Sequence, residues 1–167
     1  MGALDGFPTT QPALKAKVRI ADIHPCGEIH TGSTLIGVSI PGFSPHVNLK
    51  ITQGHDWLHI DPSKNHARLS IAGVAVDADG HSVRMIAEGL AEMNEQITEL
   101  FFAPDDSAGP KEVPFGFAVE HMRFECGEPY KALEDMLFAG SVRFGKDEDG
   151  LFADIRLARI VPGFGTE

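Results

Sequence analysis

The sequence predicts an all-β protein, a single antiparallel β-barrel with one or two short helices. Apolar and polar residues alternate along roughly seven to ten short segments, which is typical of strands with one buried face. Turns rich in Gly, Pro and Asp separate these segments. Glycines also occur inside several segments, where a sheet that curls on itself uses them. These three observations favour a closed barrel over a flat sandwich, and a barrel of this kind can enclose one small ligand, as lipocalins do.

The length and composition indicate one domain with its own core, because 167 residues with 43% hydrophobic and 23% charged residues bury enough surface. A net charge of -10 argues against nucleic acid and anionic membranes, since both need a basic face. The sequence contains no apolar run long enough for a membrane helix and begins without a secretory signal pattern. We therefore expect a cytoplasmic protein with Cys26 and Cys126 as free thiols.

The chain divides into three parts. Residues 1–13 show no periodicity and predict an irregular N-terminal arm, residues 14–160 form the barrel domain, and residues 161–167 form a tail. Strict alternation from Leu14 predicts the first strand.

The remaining elements follow in order. Proline and glycine predict a turn at residues 24–27, and Asp and Gly predict a hairpin turn at residues 77–80. Helical spacing of apolar residues favours a helix over residues 91–102, although the same run could begin another strand, and a polar loop follows at 104–114. Strands are predicted at residues 28–40 with a kink, 46–52, 66–76, 81–90, 115–125, 141–145 and 151–160, with a short helix-like or irregular segment at 130–138.

The stretch at residues 53–61 is the first candidate site, because it surrounds the only tryptophan with four ionisable residues. In a strand, Trp57 and His59 share one face and Asp56 lies on the other. Asp56 on an otherwise apolar face would have a raised pKa and suit a general acid, whereas His59 would suit a proton shuttle. The competing interpretation is a turn carboxylate beside a packing tryptophan. Only one of the two faces can look into a barrel.

Charged residues on two further strands form a second candidate group. Arg84, Glu88, His121, Arg123 and Glu125 alternate with apolar residues, and neither face of the first strand is cleanly polar. Such a pattern fits either a partly polar barrel interior or ion pairs on the surface.

Several short motifs occur in an order that resembles the domain of unknown function family 3237. They are Asp56-Trp57, Asp79-Gly80, Phe124 to Gly127 followed by Tyr130, and Phe138 to Gly140. The resemblance covers residues 27–160 and implies a small antiparallel β-barrel. It also implies a link to ring-forming steps on aromatic polyketides, in which a phenol oxygen adds across an internal alkene, because some fungal members have that link. The chain departs from the family at Gly54-His55 and at Ala132 to Glu134, so the substrate does not transfer directly.

No pattern for a nucleotide loop, a nucleophile elbow or a metal site at cupin spacing is present, and we expect neither a cofactor nor a metal. The favoured hypothesis is a cofactor-independent cyclase, an isomerase or intramolecular lyase of secondary metabolism that closes a C–O ring in a small aromatic polyketide-type substrate. The alternative is a non-enzymatic barrel that binds a small hydrophobic ligand. Apart from that small molecule no partner is expected, although the sequence allows a homodimer.

The residues assigned to this chemistry come from both candidate groups. Asp56 or Glu88 would supply the proton and His59 or His121 would accept one. The expected substrate-binding residues are Trp57, Arg84, Phe124, Glu125 and Tyr130.

Overall fold

The computed structural model describes residues 5–24, 28–32, 35–103 and 111–164. Most of these residues lie in strands, and one α-helix and one 3₁₀ turn accompany them. The strands are β1 (Thr9–His24), β2 (Glu28–Gly32), β3 (Leu35–Ser39), β4 (Asn48–Trp57), β5 (His59–Ile60), β6 (His66–Val76), β7 (Ser82–Glu92), β8 (Glu112–Cys126), β9 (Phe138–Asp147) and β10 (Gly150–Val161). Within the described residues, no helix is both long and apolar enough to cross a membrane.

The strands close into an eight-stranded antiparallel barrel, as the sequence predicts. Strands β6 to β10 each pair with the next, β10 pairs with β1, and β1 pairs with both β2 and β3. Strands β2 and β3 both pair with β4, which pairs with β6 and completes the ring. Among the described residues, closure therefore gives the strands of the ring neighbours on both sides, and most of their backbone hydrogen bonds are made within the barrel.

Turn chemistry explains the central hairpin between β6 and β7. The Asp77 carboxylate accepts hydrogen bonds from the backbone amides of Asp79, at 2.9 Å, and His81, at 2.8 Å. Gly80 has a φ of +90°, which costs glycine little because it has no Cβ. The hairpin predicted at residues 77–80 is therefore confirmed.

Alternation along the strands separates a dry interior from a wet exterior. On β8 the side chains of Ala118, Met122 and Phe124 are buried, whereas Val119 and His121 between them are exposed. The same period on the other strands joins the buried side chains into one continuous hydrophobic cluster. The hydrophobic core therefore lies in the barrel interior.

The two helical elements cover opposite ends of the barrel. Helix α1 (Glu95–Phe102) buries Ile97 and Leu100, and Phe101 packs edge-to-face on Phe144 at 5.1 Å between ring centroids. Phe144 pairs with Val113 at the start of β8. The 3₁₀ turn (Lys131–Asp135) follows the end of β8 and buries Leu133 completely.

The predicted starts of β1 and of α1 are wrong, and long-range pairing is the reason in both cases. β1 begins at Thr9 rather than Leu14, because residues 9–12 pair with the end of β10. Of the predicted arm, the structure describes residues 5–13, and only residues 5–8 of these lie outside the strand. Helix α1 begins at Glu95 rather than at residue 91, since the end of β7 still pairs with β6 there.

Other predictions are refined or fall outside the description. The kinked strand at 28–40 is two strands, β2 and β3, and the loop predicted up to residue 114 ends where β8 begins at Glu112. The turn residues 25–27, with Cys26, and the loop residues 104–110 lie outside the described residues. Cys126 has a free thiol.

Candidate functional site

The barrel contains an apolar cavity whose wall includes Leu133 of the 3₁₀ turn. The volume open to the centres of water-sized molecules is about 100 Å³. Aliphatic and aromatic side chains and glycines form nearly all of its wall, and among the described lining residues Asp56 and Glu120 are the ionisable ones. Two carboxyl groups in an apolar chamber are costly to keep charged, which makes them the first residues to consider for function.

A β-bulge in β4 decides which face of residues 53–61 looks inward. Ile51 pairs with Ala75 and Gln53 with Val74, so β4 carries one extra residue, Thr52, at this point. Before the bulge the odd-numbered positions are buried, and after it Asp56 is buried at 8% exposure. The bulge therefore turns Asp56 into the cavity and Trp57 out of it.

Asp56 sits in a mostly dry environment with one strong partner. Its Oδ1 accepts a hydrogen bond from the backbone amide of Ser70 at 2.9 Å. Burial raises the pKa of Asp56 to about 6, although the Ser70 hydrogen bond and the nearby His55 both oppose that rise. Near neutral pH this carboxyl can therefore exist as a carboxylate that accepts a proton.

Glu120 lies on β8 between two glycines of the neighbouring strands. It pairs with Gly89 on β7 and with Gly140 on β9. A Cβ atom at Gly140 would stand 2.6 Å from Glu120 Cγ, and one at Gly89 would stand 3.0 Å from Glu120 Cβ. Only glycine at these two positions leaves the Glu120 side chain room without displacement of its neighbours.

The carboxyl of Glu120 keeps a substantial neutral fraction near pH 7, unlike an ordinary glutamate. Burial, and after it the charge of Asp56, raises the pKa of Glu120 to about 7. Its Oε1 atom is buried and has no hydrogen-bond partner among the described residues. A buried carboxyl without a partner is unusual, because the group loses its hydration without compensation. It is free to bond a polar group of a molecule in the cavity.

Three of the four predicted catalytic residues, His59, Glu88 and His121, lie outside the cavity and not in it as the sequence predicts. His59 is exposed on β5. Glu88 and His121 face each other across β7 and β8 on the outer surface, with 3.7 Å between Glu88 Oε2 and His121 Nε2. Alternation puts Met85, Ala87 and Gly89 inward, so Glu88 must point outward. Of the four, the structure brings Asp56 alone to the cavity.

The predicted substrate-binding residues are also divided between the two sides of the wall. Phe124 lines the cavity, whereas Trp57 is 49% exposed on the outside, with its ring 6.2 Å from that of His55. Arg84 donates a hydrogen bond to Glu125 at 2.6 Å on the outer surface. The surface alternative therefore describes the charged group that the sequence singles out, which is Arg84, Glu88, His121, Arg123 and Glu125.

Tyr130 is buried beside the 3₁₀ turn but does not line the cavity. Its hydroxyl donates a hydrogen bond to Asp77 Oδ2 at 2.9 Å and ties the 3₁₀ turn to the β6–β7 turn. Burial and this carboxylate raise the pKa of Tyr130 to about 12. It is a structural residue at the barrel end.

Glu120 is the cavity residue that the sequence analysis missed. Its strand alternates so that Glu120 shares a face with Ala118, Met122 and Phe124. One acid on an otherwise apolar face is the same signal that singles out Asp56. The three ionisable residues at 121, 123 and 125 form a longer polar pattern on the opposite face, and that pattern favours the opposite face as the site.

A set of three possible metal ligands lies away from the cavity, at the β6–β7 turn. Ligand atoms of Asp77, Asp79 and His81 lie within 4.8 Å of one another. The Asp77 carboxylate already accepts hydrogen bonds from this turn and from Tyr130. The cluster therefore has a structural explanation.

Comparison with known sequences decides the family. Residues 8–160 match the family described as "Protein of unknown function (DUF3237)". The chain belongs to this family. No curated protein matches the chain significantly.

Several solved structures share the barrel fold of this chain. A conserved protein of unknown function from Rhodopseudomonas palustris aligns with a TM-score of 0.71 and 19% identity, over 93% of this chain and 99% of that one. A β-barrel-like protein from Acinetobacter baumannii aligns with a TM-score of 0.58 and 16% identity, over 96% and 100% of the two chains. A protein with unknown function from Clostridium acetobutylicum aligns with a TM-score of 0.63 and 14% identity, over 92% and 99%. These similarities establish the fold alone.

Proposed function

We propose that this DUF3237 barrel is a cofactor-independent enzyme of the cyclase or isomerase class that acts on a small, largely apolar aromatic molecule. One observation carries the proposal. Two carboxyl groups, Asp56 and Glu120, are buried in one apolar cavity and have pKa values of about 6 and about 7. A general acid and a general base work best when their pKa values lie near the working pH.

The proposed step is the addition of a phenol oxygen to an enone in the same molecule. The Asp56 carboxylate accepts the phenol proton, and the phenol oxygen forms a bond to the β-carbon of the enone. The C=C π bond breaks, and its electron pair takes the proton of the Glu120 carboxyl at the α-carbon. One C–O and one C–H bond form while one O–H bond and one π bond break, so the product is an isomer of the substrate.

The balance of this step needs no further reactant. After turnover Asp56 holds a proton and Glu120 is ionised, and transfer of one proton from Asp56 to Glu120 restores the starting state. The lower pKa of Asp56 favours this return. General acid–base catalysis contributes typically 10²–10⁴-fold, and confinement of one reactive conformer adds to it.

The size of the cavity limits the substrate to about one substituted ring. A water-sized group needs roughly 10–15 Å³ of such volume, so about 100 Å³ holds on the order of ten non-hydrogen atoms. A fused polyketide would exceed this volume. We therefore narrow the proposed substrate to a single-ring phenol with a short unsaturated substituent.

The test is ring closure of 1-(2-hydroxyphenyl)but-2-en-1-one to 2-methylchroman-4-one, followed by chiral chromatography. We expect one enantiomer in excess, and loss of that excess in Glu120→Gln and Asp56→Asn. The matched controls are Glu88→Gln and His59→Ala, which change ionisable groups outside the cavity and should leave the selectivity unchanged. Racemic product at the uncatalysed rate with the unmodified protein would contradict the proposal.

A ligand-binding barrel without catalysis is the second candidate. The nearly wholly apolar wall of the cavity, which includes the fully buried Leu133, favours it, because such a wall binds a small hydrophobic ligand without any reaction. Saturable binding of phenols that depends on Asp56 and Glu120, with no turnover of any enone, would identify this function instead.

A further inference from the structure

A second apolar compartment lies between α1 and the barrel rim. It offers about 40 Å³ to the centres of water-sized molecules. The strand side of the compartment includes Ala67 and Ala91, and the helix side includes Ile97 and Phe101. No ionisable residue is among its described lining residues. The compartment therefore suits an uncharged, apolar group.

The second compartment adjoins the main cavity through shared side chains. Ile20, Leu69 and Phe144 line both spaces. The partition between the two spaces therefore includes the side chains of these three residues. Side chains can change rotamer without breaking the backbone hydrogen bonds of the wall.

Two alanines create the space beneath α1. Ala67 on β6 and Ala91 on β7 are register partners, and they are 0% and 3% exposed. Any larger side chain at either position would project into the compartment. The space is thus a property of two specific small residues, and it can be filled by substitution.

We infer that the ligand of this barrel has two parts, a ring whose polar group meets Asp56 and Glu120, and a linear apolar substituent that passes Leu69 and Phe144 and ends beneath α1. The inference rests on the proposed function for the ring and extends it to the substituent. At roughly 10–15 Å³ per water-sized group, the second compartment holds about three or four carbon atoms. The ligand class is therefore a phenol that carries a short alkyl or alkenyl chain.

The test is the dissociation constant of a 4-alkylphenol series, from phenol to 4-hexylphenol, measured by isothermal titration calorimetry. Each methylene that enters the second compartment should tighten binding about fourfold. The gain should reach roughly 60-fold at three methylenes and then level off, because the compartment is full.

Two variants fill the compartment from different sides. Ala91→Val acts from β7, and Met93→Phe acts from the rim, where a half-buried side chain tolerates change better. Both should keep the affinity for phenol itself and lose most of the gain with chain length. Ala158→Val, on the outer face of β10, is the matched control and should show the full gain. Retained phenol binding shows that a variant is folded.

The outcomes separate this inference from the proposed function. Equal affinity for phenol and its alkyl derivatives in the unmodified protein overturns the two-part ligand, as does full gain in both filled variants. Phenol binding that is unaffected by Glu120→Gln and Asp56→Asn overturns the proposed function, whatever the chain length does. Absence of saturable binding throughout the series overturns both.

Discussion

Replacement of Glu120 by Gln should change how stability depends on pH. The pKa of this carboxyl is about 7 in the folded barrel and 4.5 in an ordinary environment. Below pH 4.5 both states hold the proton and the group has no effect. Between pH 4.5 and 7 the unfolded chain loses the proton while the folded protein keeps it, so the free energy of unfolding falls as pH rises.

The magnitude follows from the size of the shift. At 1.36 kcal/mol per pKa unit, the shift from 4.5 to about 7 corresponds to about 3 kcal/mol of stability lost by pH 8. This is a large part of the 5–15 kcal/mol that a domain typically has. Glu120→Gln removes this loss, because the amide does not ionise. The free-energy cost of burying the amide in the Glu120→Gln variant is the same at both pH values, so it does not affect the difference between them.

The assay is urea denaturation at pH 4.5 and at pH 8. Relative to the unmodified protein, Glu120→Gln should gain about 3 kcal/mol between the two pH values. Glu88→Gln is the matched control, since its carboxyl lies on the outer surface with 72% of the side chain exposed. Parallel pH profiles for the unmodified protein and Glu120→Gln would refute the claim that Glu120 is buried as a neutral acid.

Three further substitutions test the cavity carboxyls and the tyrosine contact at the barrel end. Asp56→Asn removes a negative charge that helps to raise the pKa of Glu120. That pKa should therefore fall below about 7 when it is followed by ¹³C NMR. Gly140→Ala should lower the free energy of unfolding in urea by about 1–3 kcal/mol, because the new Cβ would stand 2.6 Å from the buried Glu120 side chain. In the control Gly127→Ala the new Cβ meets nothing within 4 Å, so the free energy of unfolding should change by less than about 0.5 kcal/mol. Tyr130→Phe removes a hydrogen bond to Asp77, so the NMR-measured pKa of Asp77 should rise from its low value, and an unchanged pKa would contradict this contact.

The fold could be predicted from local patterns because most strands obey them. Alternation along β8 and β10 and the Asp77 to Gly80 turn are readable from sequence neighbours alone. The start of β1 at Thr9 and the late start of α1 could not be read in this way. Both depend on partners more than 20 positions away, β10 in one case and β6 in the other.

The site was only half predictable, for two physical reasons. The two faces of residues 53–61 are equivalent in pattern, and the extra residue Thr52 that selects Asp56 is visible only as a register shift against β6. Glu120 carried a readable signal, one acid on an apolar face. Its glycine neighbours Gly89 and Gly140 are far away in sequence, so the room that they leave for it appears only when the strands are paired.

The most direct test of the central claim is a ¹³C NMR titration of the side-chain carboxyls, with and without phenol. The account predicts midpoints of about 6 for Asp56 and about 7 for Glu120, both shifted when phenol is added, because both groups line the cavity that would bind it. Midpoints below 5 for both residues, or midpoints that phenol leaves unchanged at saturation, would contradict a buried acid–base pair as the functional centre.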